Sequence, residues 1–135
     1  MIELKNVRFS VPADESNDGG GPTKTIINDV SFTFEKGKFY GITGPNGGGK
    51  TTLSKLIMGI NPVTSGSITL DGQDISDMSI TDRARAGIAY GFQNSARFKG
   101  TTFRDLLSIA AGTDDEAALT RIIAGLGICS LDFLD

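Results

Sequence analysis

An α/β fold is predicted by three patterns in the 135-residue sequence. The segment from Thr25 to Glu35 alternates apolar and polar residues with a period of two, which is typical of a half-buried strand. Apolar residues then recur at the helical spacing i, i+3, i+4 and i+7, at Leu53, Leu56, Ile57 and Ile60. The pair Asp71 and Gly72 follows a short apolar run and predicts the turn of a β-hairpin. A strand, a helix and a hairpin in this order indicate a mixed fold.

Four further segments complete the predicted organisation. Met1 to Val11 is predicted to be extended, and the polar segment 12–24, with three consecutive glycines, to be a flexible surface loop. Phe39 to Thr43 and Gly87 to Gln93 are predicted to be short buried strands, because each is a largely apolar run beside turn residues.

Helix boundaries are indicated by glycine, proline and capping residues. Gly59 and Pro62 are expected to end the first helix. Three later helix starts have a hydroxyl residue followed by an acid three positions on, the pattern of a capping box. The three pairs are Ser79 with Asp82, Thr102 with Asp105, and Thr113 with Glu116.

The composition excludes several classes of protein. Apolar residues make up 39% of the chain and charged residues 21%, values typical of a soluble globular domain. The net charge of -3 provides no overall attraction to nucleic acid, so no nucleic-acid partner is expected. Cys129 is the single cysteine and histidine is absent, which excludes an intrachain disulfide and the common zinc ligand sets. No apolar run approaches the length of a membrane span, so a cytoplasmic location without direct membrane insertion is expected.

The stretch GITGPNGGGKTT, from Gly41 to Thr52, predicts a phosphate-binding loop between a strand and a helix. It matches the P-loop pattern G-x-x-x-x-G-K-[ST], whose glycines let backbone N–H groups surround phosphate oxygens at a helix N-terminus. Lys50 is expected to contact the β- and γ-phosphates of ATP, and the Thr51 hydroxyl to bind Mg²⁺. The predicted nucleotide-binding residues are Gly44, Pro45, Asn46, Gly47, Gly48, Gly49, Lys50, Thr51 and Thr52. A chance match in a glycine-rich chain is the alternative interpretation.

The run GPNGGGKTTLSKLIMGINPVTSGSITLDGQDI resembles the amino-terminal half of the nucleotide-binding domain of an ATP-binding cassette (ABC) ATPase. The resemblance implies that residues 1–135 form part of a P-loop NTPase core, with a small antiparallel β-layer and the start of a helical subdomain. It also implies that the full-length protein hydrolyses ATP with Mg²⁺ to drive transport across a membrane. Its expected partners are a second, identical or related ATPase subunit and a membrane permease or an assembly scaffold. The expected location is then cytoplasmic or peripheral at the inner face of the membrane.

The resemblance assigns Gln93, in YGFQNS, to the glutamine that helps to hold Mg²⁺ and the attacking water. Taken alone, a glutamine after a strand is more often a solvated loop residue, but its position beyond the P-loop at the end of a predicted strand favours the functional role. With Lys50 it forms the predicted catalytic pair, and with Thr51 the predicted metal ligands. The run DRARAGIAYGFQ is also similar to the soluble ATPase of Suf iron–sulfur cluster assembly, which is the alternative function. A P-loop kinase and a binding module without turnover are further alternatives.

Two departures from the family pattern are visible. Val11 stands where family members often place an aromatic residue that stacks on adenine, so either Phe9 replaces that residue or the base is held by weaker apolar contact. The signature and Walker B segments of the family are not found in the 135 residues. We therefore expect the chain in isolation to self-associate, to bind nucleotide weakly and to lack ATPase activity.

Overall fold

The computed structural model describes residues 1–13, 23–94 and 98–126. The chain divides into two compact units, Met1–Gly91 and Phe92–Asp135. Most of the predicted loop 12–24 lies outside the described residues, whereas its two ends are paired, with Pro12 opposite Thr23 and Val11 opposite Lys24.

The first unit contains a four-stranded antiparallel sheet. Its strands are β1 (Ile2–Pro12), β2 (Thr23–Phe34), β3 (Ser65–Leu70) and β4 (Gln73–Asp74), in the spatial order β2-β1-β3-β4. This sheet confirms the predicted antiparallel layer. Asp71 and Gly72 have φ angles of 48° and 87°, the left-handed values of a tight hairpin turn, and they join β3 to β4 as predicted.

The core lies on one side of β1. Leu4 faces Phe32 of β2 and Ile68 of β3 across the sheet, and both Leu4 and Ile68 are buried. Helix α1 (Lys50–Met58) contributes Leu56 to the same cluster. The buried residues of this core are Leu4, Val7, Phe9, Ile27, Leu56, Ile68 and Ile75.

Helix α1 ends where the sequence predicts. Gly59 adopts the left-handed conformation, with φ 79°, and its N–H donates to the Leu56 carbonyl at 3.1 Å. Glycine adopts this conformation without the steric cost of a Cβ atom, which is why it is common just after a helix.

For the remaining three helices, two of the predicted N-caps are found in the structure and one prediction is wrong. Ser79 caps α2 (Ile80–Arg85), and Thr102 forms a reciprocal capping box with Asp105 at α3 (Phe103–Ala111) in the second unit. The capping box at Thr102 is confirmed, and at Ser79 the predicted hydroxyl cap is confirmed through the Asp82 N–H.

The predicted pair of Thr113 and Glu116 does not form the third cap. Helix α4 (Glu116–Gly125) begins after Asp115, whose side chain accepts from the Ala118 N–H at 2.9 Å. The Thr113 hydroxyl accepts from the Asp115 N–H at 3.2 Å instead. Aspartate is as good an N-cap as threonine and lies directly before the helix, so it takes the capping position.

The two strands predicted in the apolar runs are also absent from the described residues. Neither Phe39 to Thr43 nor Gly87 to Gln93 pairs with another described strand. Such a strand satisfies its backbone N–H and C=O groups only through neighbouring strands, so an apolar run without a partner stays irregular. The Tyr40 hydroxyl instead accepts from the Glu35 N–H at 2.9 Å, and the Tyr40 ring packs edge-on against Phe34.

Candidate functional site

The predicted phosphate-binding loop connects an irregular segment to the N-terminus of α1. Three of its glycines have positive φ angles: Gly44 at 153°, Gly47 at 79° and Gly49 at 84°. The Gly48 N–H donates to the Pro45 carbonyl at 3.1 Å and closes a turn inside the loop. Residues 44–48 are exposed, so the backbone of this part of the loop is open to a ligand.

Gly49 brings the start of α1 close to strand β2. A Cβ atom at Gly49 would lie 2.7 Å from Ile27 Cδ1 and 3.1 Å from the Ile26 carbonyl oxygen, closer than side chains normally approach. Gly49 is also the N-cap of α1, and no side chain among the described residues caps this helix. The first N–H groups of α1 therefore retain their capacity to bind an anion, and the helix dipole favours negative charge there.

Lys50 folds back over the loop. Its Nζ donates to the Gly44 carbonyl at 2.7 Å and to the Pro45 carbonyl at 2.6 Å. These bonds hold the ammonium group beside the exposed loop backbone. Phosphate oxygens are stronger acceptors than neutral carbonyls, so the lysine can transfer its hydrogen bonds to a bound phosphate.

The two threonines of the motif occupy the first turn of α1. Thr51 is exposed and Thr52 is half-buried. The Ser54 hydroxyl donates to the Thr51 carbonyl at 2.9 Å, and Thr51 is exposed, so a cation can approach its hydroxyl oxygen. Mg²⁺ prefers such oxygen ligands and commonly takes the rest from phosphates and water. Within residues 1–13, 23–94 and 98–126, no cluster of three carboxylate or cysteine side chains could hold a metal without those phosphates.

The residues present therefore fit a magnesium–nucleotide. The loop offers backbone donors, one ammonium group and one hydroxyl oxygen at a helix N-terminus, which is the donor set that a Mg²⁺-bound polyphosphate needs.

The remaining predicted site residues are placed as follows. Gln93 is exposed and lies in the second unit, and its role in catalysis and metal binding stays a prediction. Phe9 is buried in the core opposite Ile27, so it cannot stack on a base without leaving the core. Val11 is half-buried near the end of β1.

Arg83 is absent from the sequence-based predictions although it contacts the P-loop helix. It is 1% exposed, and its guanidinium donates to carbonyl oxygens in the last turn of α1. It lies in the run DRARAGIAYGFQ, but the sequence gives it no role there, because a single arginine in a short polar helix is usually a surface residue.

A glycine-rich loop leads into a helix that begins with a lysine, and this helix packs against the antiparallel sheet. This arrangement defines a P-loop protein. Residues 27–132 match the family model described as ABC transporter, and the chain belongs to this family.

Relatives in several bacteria agree with this assignment. The chain is 40% identical over 107 residues to Vegetative protein 296 of Bacillus subtilis, covering 74% of this chain and 41% of that protein. It is 37% identical over 99 residues to the lipopolysaccharide export system ATP-binding protein LptB of Escherichia coli K12. This match covers 73% of this chain and 41% of LptB. It is 36% identical over 117 residues to the energy-coupling factor transporter ATP-binding protein EcfA1 of Streptococcus thermophilus, covering 86% and 39%. The chain thus spans about two fifths of the length of these relatives.

Solved structures show the same fold. The dimeric structure of MJ0796, described as a bacterial ABC transporter cassette, superposes with a TM-score of 0.80 at 20% identity. The match covers 100% of this chain and 60% of that one, which confirms the predicted α/β P-loop fold of the ABC type. Among the described residues, no helix is long and apolar enough to cross a membrane.

Proposed function

We propose that this chain is the MgATP-binding portion of an ABC-type ATPase whose full-length form hydrolyses ATP to drive transport across a membrane. The observation that supports this proposal most directly is the glycine loop at the uncapped start of α1, with the Lys50 ammonium 2.7 Å from the Gly44 carbonyl and 2.6 Å from that of Pro45. Such a loop binds a chain of phosphates through its backbone N–H groups. Its lysine ammonium stabilises the negative charge of the phosphoryl group that is transferred.

Each residue of the loop has a distinct part in this chemistry. The N–H groups of Gly47 and of Gly49 to Thr51 would bind phosphate oxygens, and Lys50 would neutralise charge at the β- and γ-phosphates. The Thr51 hydroxyl would hold a Mg²⁺ ion, whose positive charge would stabilise the negative charge on the phosphates. For Gln93 we propose only the role that the family resemblance implies, which would be to help to hold the metal and the attacking water. This catalysis requires positioning and electrostatic stabilisation, without a covalent intermediate on the protein.

The names of the relatives favour transport over iron–sulfur cluster assembly. LptB is described as part of a lipopolysaccharide export system, and EcfA1 as part of an energy-coupling factor transporter. By analogy with the dimeric structure of the matched cassette, the partners are a second ATPase subunit and a membrane permease. A cytoplasmic protein held at the inner face of the membrane by that permease fits these partners.

The Lys50→Ala variant tests the phosphate site. We expect it to weaken the binding of a fluorescent ATP analogue about ten- to a hundredfold, because it removes a charge-assisted contact to the phosphates. Lys55→Ala is the matched control, since it removes the same charge from the last turn of the same helix. Thr51→Ala should reduce the affinity only when Mg²⁺ is present. Equal affinities for the wild type and Lys50→Ala would rule out the phosphate assignment.

A further inference from the structure

Arg83 joins the far end of the P-loop helix to the connection between β4 and α2. Its Nη1 donates to the carbonyl oxygens of Leu56 at 2.7 Å and Ile57 at 2.8 Å, in the last turn of α1. Its Nη2 donates to the Ser76 carbonyl at 2.7 Å, and its Nε to the Met78 carbonyl at 3.2 Å. The guanidinium is thus fixed in one orientation by four acceptors from two segments of the chain.

The environment of Arg83 explains why a cation can lie here. Burial lowers the pKa of the guanidinium, whereas the nearby charges of Asp74 and Asp77 raise it. The carbonyl acceptors at the C-terminus of α1 have the negative end of the helix dipole, which also favours a cation. Buried charges are a weak source of stability compared with apolar packing. The planar, directional donors of arginine are therefore better explained by the geometry that they impose.

That geometry includes the position of α1 along its own axis. The helix has nine residues and is therefore about 13 Å long, from a rise of about 1.5 Å per residue. Gly59 leaves space for Arg83, because a Cβ atom there would lie 2.8 Å from the guanidinium Nε. At the other end, Gly49 packs against Ile27. A short helix held at both ends transmits a shift or rotation of its C-terminus to the phosphate-binding loop.

We propose that Arg83 is a positioning residue for the phosphate-binding loop. Its four hydrogen bonds set the axial position and rotation of α1, so that the N–H groups and Lys50 at the helix start meet a polyphosphate. The inference rests on the proposed function in one respect, since the ligand of the loop is taken to be the triphosphate of ATP. The placement of the loop by Arg83 is a property of the protein itself and can be measured without nucleotide.

The first test compares Arg83→Met with Arg85→Met in the full chain. Arg85 lies in the same helix, but its side chain is 77% exposed and forms a surface ion pair with Asp82. At a temperature where circular dichroism shows both variants folded, titration calorimetry measures the binding of ATP and of inorganic tripolyphosphate. We expect Arg83→Met to weaken both ligands about tenfold, and Arg85→Met to change neither by more than about twofold. Equal losses for the two ligands would locate the effect at the phosphates.

The second test measures hydrogen exchange of backbone amides in residues 44–52 without nucleotide. A positioning role predicts faster exchange of these amides in Arg83→Met, whereas a local structural role would accelerate exchange only around residues 76–86. If Arg83→Met is unfolded, Arg83→Lys replaces it, because lysine keeps the charge but loses the planar donor geometry.

The outcomes separate this inference from the proposed function. Unchanged affinity together with unchanged exchange of the loop would overturn the role of Arg83, while a loss in Lys50→Ala would still support the phosphate site. A wild type that binds neither ATP nor tripolyphosphate would overturn the proposed function, and the exchange measurement would still decide whether Arg83 holds the loop.

Discussion

Replacing Gly49 by alanine should destabilise the fold more than the same change at any glycine that lies in open space. The backbone of Gly49 is left-handed, with φ 84°, and an alanine in that conformation costs about 1–2 kcal/mol. The new Cβ atom would lie 2.7 Å from Ile27 Cδ1 and 3.1 Å from the Ile26 carbonyl oxygen. Because Ile27 is 6% exposed and packed in the core, relieving this overlap should cost a further ~1–3 kcal/mol. The total loss is therefore about 2–5 kcal/mol.

Gly37→Ala is the matched control for this measurement. Gly37 has φ 76°, close to that of Gly49, but a Cβ atom there would meet nothing within 4 Å. The Gly37→Ala variant should lose only the conformational contribution to the free energy of unfolding, about 1–2 kcal/mol. Urea unfolding followed by circular dichroism measures both free energies of unfolding. Equal losses in the two variants would show that the close approach of the loop to β2 has no energetic weight.

A double mutant identifies the atom responsible. Ile27→Val removes Cδ1, the atom nearest to the new methyl group, at a cost of about 0.5–1.5 kcal/mol when made alone. Combined with Gly49→Ala, it should recover part of the steric loss, so the double mutant should be more stable than the sum of the single changes predicts. Strict additivity would contradict the proposed contact between these two positions.

Three further predictions concern catalysis, the nucleotide base and the second unit. Gln93→Ala should leave nucleotide affinity nearly unchanged but lower the steady-state ATPase rate of the full-length protein with its partners, and a wild-type rate would contradict the assignment. Because Phe9 is buried and Val11 is not aromatic, ATP and GTP should bind within about tenfold of one another, and Val11→Tyr should strengthen ATP binding about tenfold in a competition assay. Hydrogen bonds from the Thr102 backbone N–H and hydroxyl lower the pKa of the Asp105 carboxyl from its ordinary value of 3.8. The stabilisation of α3 by this carboxylate is therefore present above pH 3.8 and is lost as the pH falls through the lower pKa of the folded state. Circular dichroism between about pH 5 and pH 2 should show this loss in the wild type and a weaker pH dependence in Asp105→Asn.

The sequence predicted those elements whose signal is local. The alternation in β2, the apolar spacing in α1 and the Asp71–Gly72 turn each depend on neighbouring residues, and all three are found in the structure. The P-loop residues could likewise be named from spacing alone, because their chemistry is performed mainly by the backbone.

The missed features have two causes, namely partners far away in the chain and competition between neighbouring residues. Phe39 to Thr43 has the composition of a strand, yet strand formation needs a partner that composition does not reveal. The position of the third cap was decided by competition between Thr113 and Asp115, two residues with similar preference for the N-cap. The role of Arg83 was missed because its acceptors are backbone carbonyls, which have no side-chain signature in the sequence. Two of these carbonyls, those of Leu56 and Ile57, lie 27 and 26 positions away.

The two hydrogen bonds of Lys50 also reduce the conformational entropy that the loop loses when it binds a ligand. Because the ammonium already bridges the Gly44 and Pro45 carbonyls, the loop is preorganised before any anion arrives. When a polyphosphate binds, it replaces the two carbonyl acceptors around the Lys50 ammonium. Little of the binding free energy is then offset by ordering of the backbone. The net enthalpy is a difference between two sets of bonds to the same ammonium group, so the measured heat will understate the strength of the lysine–phosphate contact.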